Sequence, residues 1–167
     1  MTIQSYIHLI SRTLLLPLSV LVSGLTVESA YAQDGDPMVE ITQFVQVGDE
    51  KAELASKKMR AKNLKTKRID TFFDALKSFS SALRRLDEYQ IEDLELIDQI
   101  GKKIDTIIND RDVSRALSNL RDKLMSALKN KNYSEATQMA QQLVDLDQRN
   151  DAIQYLLSVL MDLTPVE

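Results

Sequence analysis

The stretch IDTFFDALKSFSSALRRL, residues 69–86, carries the clearest fold signal in the sequence. Its apolar residues recur every three or four positions, at Ile69, Phe72, Phe73, Leu76, Phe79, Leu83 and Leu86. This spacing predicts an α-helix that buries one face. Helix breakers are rare around it, because no proline lies between residues 38 and 164 and Gly101 is the only glycine after Gly48. The sequence therefore predicts an all-α protein.

Further helices are predicted on both sides of this stretch. A helix could begin at Asp49 and continue to Tyr89. Four more amphipathic patterns follow, with helix starts or caps expected at residues 92–95, at Asp112 or Ser114, at Ser134, and at Asn150 or Asp151. Short connections imply antiparallel helical hairpins. Two architectures fit them: a closed bundle, or hairpins stacked as a short solenoid.

The first 32 residues have the parts of an export signal. Arg12 lies in the head, an apolar run follows over residues 14–25, and Ala30 and Ala32 form an A-x-A cleavage pattern. We predict cleavage after Ala32 and a periplasmic or secreted location. The alternative is a retained membrane anchor, which is disfavoured because Arg12 would lie in the middle of the bilayer.

The rest of the chain divides by composition and charge. Residues 33–48 are predicted to be a flexible lead-in, extended or loosely helical, because their short apolar alternation has no second strand to pair with. Residues 49–68 are predicted to be a basic helix or linker. The helical domain is expected over 69–163, followed by a tail at 164–167. Methionines and tyrosines at helical spacings are expected to fill the core: Met125, Met139, Met161, Tyr133 and Tyr155.

Charge is segregated along the chain. Residues 51–85 carry eleven bases and three acids, whereas residues 86–112 carry nine acids and three bases. Seven of the bases lie within twelve residues without an acid among them: Lys57, Lys58, Arg60, Lys62, Lys65, Lys67 and Arg68. This basic stretch predicts attraction to an anionic membrane or cell-wall polymer. The other interpretation is a helix that folds against the acidic region 87–98 of the same chain or of a second copy.

The residue inventory argues against catalysis. The only histidine, His8, lies in the predicted export signal, and the chain has no cysteine. Export would leave a protein without imidazole or thiol, the groups that bind zinc, haem or iron–sulfur clusters and serve many enzymes as nucleophile or base. The glycines form no phosphate-binding motif. We expect no enzyme activity, no catalytic residue, no cofactor and no metal.

The C-terminal third resembles the tetratricopeptide repeat. Tyr133, Ala136 and the junction at residues 146–152 match that family over about 50 residues, while Gln148 stands where the family usually has proline. The resemblance implies helical hairpins whose contacts include Tyr133, Ala136, Ala140, Leu143, Ala152 and Leu156. It also implies a protein partner. We therefore expect an exported, non-catalytic adaptor or scaffold that binds another protein in the cell envelope or outside the cell, or that self-associates. Nucleic acid is not an expected partner, because the basic stretch lacks aromatic stacking residues.

Overall fold

The structure, a computed structural model, describes residues 36–58 and 64–163. Within these residues the chain forms six α-helices: α1 Pro37–Glu53, α2 Lys65–Glu88, α3 Leu94–Ile108, α4 Arg111–Lys129, α5 Tyr133–Leu146 and α6 Asp151–Leu163. A π-helical turn, Leu54–Lys58, follows α1, and the described residues contain no strand. The prediction of an all-α protein is confirmed.

None of the described helices is long and apolar enough to span a membrane. The predicted export signal and the tail at 164–167 lie outside the described residues.

Residues 37–48, predicted to be an extended or loosely helical lead-in, form most of α1. Pro37 occupies the first helical position, where its missing N–H costs no hydrogen bond. Ile41 and Gly48 are buried and lie seven positions apart, so they share one face of the helix. Of the apolar residues that resemble a short alternation, Ile41 is buried and Val45 is partly buried, whereas Val39 and Val47 are exposed. The helix predicted to begin at Asp49 begins twelve residues earlier, at Pro37.

Helices α1 and α2 pack antiparallel along much of their length. Near the start of α1, Glu40 pairs with Arg85 at 3.0 Å, and near its end Lys51 pairs with Asp74 at 3.5 Å. Between these pairs the backbone of Gly48 lies against the ring of Phe79, which is fully buried. The absence of a side chain at residue 48 therefore sets how closely α1 approaches α2.

Helix α2 is the centre of the fold. It packs against α1, α3, α4 and α5, while α4, α5 and α6 pack in succession. Its buried residues are Phe72, Ala75, Leu76, Phe79, Ser80, Ala82, Leu83 and Leu86. Of the residues predicted to form its apolar face, Ile69 and Phe73 are only half-buried. A helix that contacts four others buries a wide face, which is why the apolar pattern of residues 69–86 is so clear in the sequence.

Two helix caps differ from those predicted. The cap of α4 is Asp110, whose side chain accepts hydrogen bonds from the N–H groups of Asp112 and Val113 at 3.0 and 3.3 Å. The cap of α5 is Asn132, which accepts from the N–H of Glu135 at 3.3 Å. In each case the helix begins earlier than predicted, because a suitable acceptor lies two residues upstream of the expected one.

Most of the predicted core-filling methionines and tyrosines are exposed. Met125, Met161 and Tyr155 are 63%, 60% and 73% exposed, and Tyr133 is 37% exposed, whereas Met139 is partly buried against the core. The prediction is wrong for the four exposed residues. Helix α6 buries Leu157 and Leu160 instead, and Tyr155 lies two residues from Leu157, on the opposite side of the helix.

Candidate protein-binding groove

A groove with largely apolar walls lies where the end of α2, the α2–α3 turn, the first turns of α3 and the α5–α6 turn meet. Its volume is about 520 Å³. We call it the Leu94 groove. Its apolar walls contain Leu83, Leu86, Ile91, Leu94 and Ile97, and its charged groups include Asp87, Glu92 and Arg149.

The end of α2 forms one wall of the Leu94 groove. Gln90 takes a left-handed conformation with φ 54°. Its N–H donates to the Asp87 carbonyl at 2.9 Å, and the N–H of Ile91 donates to the Leu86 carbonyl at 2.8 Å. These two hydrogen bonds form a Schellman motif, which commonly brings together the apolar side chains of its first and last residues. Here those residues are Leu86 and Ile91, and both line the groove.

The start of α3 forms the second wall. The Asp93 side chain accepts a hydrogen bond from the N–H of Leu96 at 2.9 Å and so caps the helix. Leu94, the first residue of α3, is 77% exposed, and Ile97 is 36% exposed. They continue the helical face that buries Ile100, Ile104 and Ile107. The apolar stripe of α3 therefore extends beyond the surface that the domain itself covers.

The α5–α6 turn forms the third wall and is anchored to α2 and α3. When the Gln148 amide is assigned with its oxygen and nitrogen exchanged, the orientation that its neighbours match, it donates to the Ser80 carbonyl at 3.1 Å and accepts from the backbone N–H of Arg84 at 2.9 Å. Gln148 thus has a specific contact at the position where the tetratricopeptide repeat usually has proline. The neighbouring Arg149 donates to Asp105 at 2.8 Å and to the Gly101 carbonyl at 3.3 Å.

The charges around the Leu94 groove are not balanced. Arg149 also donates to Asp147 at 2.8 Å, and the hydrogen bonds that it donates to Asp147 and Asp105 raise the pKa of Arg149 well above its ordinary value. Its charge is therefore neutralised within the domain. Asp87 and Glu92 are exposed, and neither carboxylate forms an ion pair or a side-chain hydrogen bond within residues 36–58 and 64–163. The groove thus presents apolar walls with negative charge at the rim.

Much of the basic stretch is already paired. Lys65 binds Asp112 at 2.7 Å, and Arg68 binds Asp112 at 3.2 Å and also binds Asp110. The hydrogen bond from Lys65 is the main reason that the pKa of Asp112 lies below its ordinary value. These acids belong to the start of α4, so the acidic partner is not the predicted region 87–98.

Of the other basic-stretch residues, the structure describes the side chains of two. Lys57 pairs with Glu53 at 2.9 Å one helical turn away, and Lys67 is exposed. Arg60, Lys62 and the side chain of Lys58 lie outside the described residues. No single anion-binding surface is therefore assembled from the described part of the stretch.

The predicted repeat-packing residues divide into two groups. Ala136, Ala140 and Leu143 are buried on α5, and Leu156 is partly buried against the core. Tyr133 and Ala152 are exposed.

No group of three or more His, Cys, Asp or Glu side chains is placed to hold a metal ion within residues 36–58 and 64–163. Comparison of the chain with protein-family models, with curated proteins and with solved structures finds no match.

Leu94 was missed as a candidate residue in the sequence, although it continues the spacing of Ile97 and Ile100 by one further turn. Periodicity marks the stripe, but it does not show where the covering helices end.

Proposed function

We propose that this protein is an exported, non-catalytic helical adaptor that binds another protein in the cell envelope or outside the cell through the Leu94 groove. The observation that carries the proposal is Leu94, a large apolar side chain that is 77% exposed on the wall of an apolar groove. Clustered exposed apolar residues beside a groove are typical of protein-binding sites.

The chemistry of the groove indicates the partner segment. Asp87 and Glu92 bring negative charge to the rim, so the segment is expected to carry lysine or arginine beside its apolar anchor. Burial of an exposed leucine or isoleucine contributes about 1.5–3 kcal/mol when complete. Leu94 and Ile97 together would contribute about 2–4 kcal/mol, because Ile97 is already partly covered. Micromolar binding corresponds to about 8 kcal/mol, so the partner segment is expected to make further contacts along the groove beyond these two side chains.

The C-terminal helices support this role as a scaffold. In our proposal, α4, α5 and α6 form hairpins like those of the tetratricopeptide repeat, and the buried Ala136 and Ala140 allow close approach of α5 to its neighbours. The α5–α6 turn, held by Gln148 and Arg149, then keeps one wall of the groove in place.

Export rests on the pattern of residues 1–32. The test is N-terminal sequencing of the protein recovered from its native compartment, which is expected to begin at Gln33. A protein that is recovered from the cytosol with residues 1–32 intact would contradict the proposed location.

The alternative, binding to an anionic membrane or wall polymer through residues 57–68, has less support because Lys57, Lys65 and Arg68 are engaged by carboxylates. Co-sedimentation with phosphatidylglycerol vesicles tests it. Strong binding that disappears in about 0.5 M NaCl, where the Debye length falls to a few ångströms, would favour this alternative over the groove.

The main experiment selects partner segments directly. A displayed library of random peptides is panned against the full chain, and the enriched peptides are measured by fluorescence anisotropy. We expect enriched peptides to combine an apolar anchor with flanking lysine or arginine. Leu94→Asp should weaken their binding at least about tenfold, which corresponds to about 1.4 kcal/mol. Glu92→Lys should also weaken the binding of these peptides, because it replaces an acid at the rim with a base that repels their lysine or arginine.

The matched control is Met125→Asp, which places the same new charge at a residue 63% exposed on α4, a helix that does not line the groove. This variant should bind within about twofold of the wild type, a difference of about 0.4 kcal/mol. Thermal melts followed by circular dichroism establish that all variants are folded. Peptides that bind the Leu94 and Met125 variants equally well, or a panning that enriches nothing, would overturn the groove as the binding site.

A further inference from the structure

A second cleft lies beside the central helix α2. Helices α1 and α3 both pack against α2, but they do not pack closely against each other. The space between them is a cleft of about 430 Å³, within the size range of small-molecule sites. We call it the Arg68 cleft.

The floor of the Arg68 cleft is apolar. Phe72 and Phe79 of α2 lie beneath it, with Ala52 of α1 and Ile107 of α3 at the sides. Both rings are nearly fully buried, so their positions are fixed by the core. The shape of the floor is therefore set by the core before any ligand binds.

The rim of the cleft carries two cation–carboxylate pairs. At one side Lys103 pairs with Asp49 and bridges α3 to α1, with its Nζ 5.9 Å from the centroid of the Phe79 ring. At the other side Arg68 pairs with Asp110, and its guanidinium carbon lies 5.1 Å from the centroid of Phe72. The cleft thus offers two positive and two negative groups around one apolar floor.

One donor in this arrangement has no acceptor within residues 36–58 and 64–163. The two terminal nitrogens of Arg68 bind Asp112 and Asp110, but its Nε is buried and makes no hydrogen bond to those described residues. An unsatisfied buried donor is costly, and the cost is larger for a charged group. An oxygen acceptor that reaches Arg68 from the cleft would relieve it.

The balance of charge selects the ligand class. A simple anion would be repelled by Asp49 and Asp110, and a simple cation would be repelled by Lys103 and Arg68. A molecule that carries one carboxylate and one ammonium group close together satisfies both pairs at once. We propose that the Arg68 cleft binds a small zwitterion with an apolar side chain, the chemical class of the free apolar α-amino acids. This proposal does not depend on the function proposed for the Leu94 groove.

The test compares four probes that share one ring and differ in charge. They are L-phenylalanine, 3-phenylpropionate with the carboxylate only, phenethylamine with the ammonium only, and N-acetylphenylalanine amide with neither. Binding to the full chain is measured by isothermal titration calorimetry, and the Arg68 Nε–Hε resonance is followed by NMR. We expect L-phenylalanine to bind saturably and to shift that resonance. We expect the other three probes to bind at least about tenfold more weakly, because each lacks a charge-assisted contact.

Two variants reverse the preference and so distinguish recognition from a structural effect. Lys103→Met leaves Asp49 unpaired and should turn the preference toward phenethylamine. Asp49→Asn leaves Lys103 unpaired and should turn it toward 3-phenylpropionate. The control is Lys102→Met, which removes a neighbouring lysine that pairs with Asp98 at 2.6 Å and does not line the cleft. This control should bind like the wild type.

Four outcomes would each overturn the proposal. Two concern the probes: none of them shifts the Arg68 resonance, or all four bind equally. The other two concern the variants: the two cleft variants keep the wild-type preference, or the Lys102 control loses binding to the same extent as Lys103→Met. Thermal melts of the variants establish that a loss of binding is not a loss of folding. Because the Leu94 groove is not probed by these ligands, failure here leaves the peptide experiment unaffected.

Discussion

The substitution Gly48→Ala tests the central packing contact of the fold. A Cβ atom added at residue 48 would lie 2.5 Å from Cε1 of Phe79 and 2.8 Å from both Cδ1 and Cζ of the same ring. Carbon atoms in favourable contact are about 3.5–4.0 Å apart. The ring is fully buried, so it cannot swing away from the new methyl group, and α1 must move by about 1 Å.

The expected magnitude combines two opposing effects. Overpacking a well-packed core costs about 1–3 kcal/mol, and a clash with three ring atoms places this case near the upper end. Replacing a glycine inside a helix with alanine returns about 1 kcal/mol through backbone entropy. We expect Gly48→Ala to be less stable than the wild type by about 2 kcal/mol, which lowers the melting temperature by roughly 6–10 °C for a domain of this size.

A second helical glycine supplies the matched control. A Cβ at Gly101 would meet only Nη1 of Arg149, at 3.4 Å, which is the end of a flexible side chain. Gly101→Ala is therefore expected to be more stable than the wild type by up to about 1 kcal/mol. The same chemical change should thus have opposite signs at the two positions.

Guanidinium unfolding followed by far-ultraviolet circular dichroism measures both variants, and the chain has no tryptophan that would allow a fluorescence assay. The m-values should be unchanged, so that the midpoints report stability. A Gly48→Ala protein as stable as Gly101→Ala would refute the close approach of α1 to Phe79. As a further check, Gly48→Ala should cost less in a Phe79→Leu background than in the wild type, because the smaller side chain makes room for the methyl group.

Two predictions concern pH. The Tyr89 hydroxyl donates to Glu40 at 3.1 Å, and this hydrogen bond is the main cause that raises the pKa of Tyr89. The hydrogen bond should therefore contribute its full stabilisation below about pH 10, the ordinary pKa of tyrosine. This stabilisation should be lost as the pH rises through the higher pKa of Tyr89 in the folded protein. NMR of ¹³Cζ-labelled tyrosine should show that Tyr89 titrates at a higher pH than Tyr133. Glu40→Gln should reduce the difference between the two titration midpoints. Identical midpoints in the wild type would contradict the hydrogen bond between Tyr89 and Glu40. The pKa of Asp112 is lowered, mainly by Lys65, so the Asp112 ion pair should contribute its full stabilisation above about pH 4 and lose it as the pH falls through the lower pKa of the folded protein. The difference in melting temperature between the wild type and Asp112→Asn should therefore shrink on acidification. A constant difference would argue against the ion pair.

Some features of the site were within reach of the sequence, and others were not. Asp93 was predicted among the acids at the start of α3, because a cap depends on residues only three positions apart. The exposure of Leu94 was not predictable, because it depends on where the end of α2 and the α5–α6 turn stop covering α3. The pairing of Arg68 with Asp110 joins residues 42 positions apart, a distance over which charge patterns do not specify a partner.

The sequence by itself determined that this protein is helical and which residues share a helix face. Both properties follow from a period of 3.6 residues and from the near absence of proline and glycine, which act within a few positions along the chain. Only the tertiary structure decided that residues 37–48 belong to a packed helix, that Tyr155 and Met161 are exposed, and that Leu94 borders an uncovered groove. These outcomes depend on which faces meet in three dimensions, because the core covers only as much apolar surface as its helices can reach.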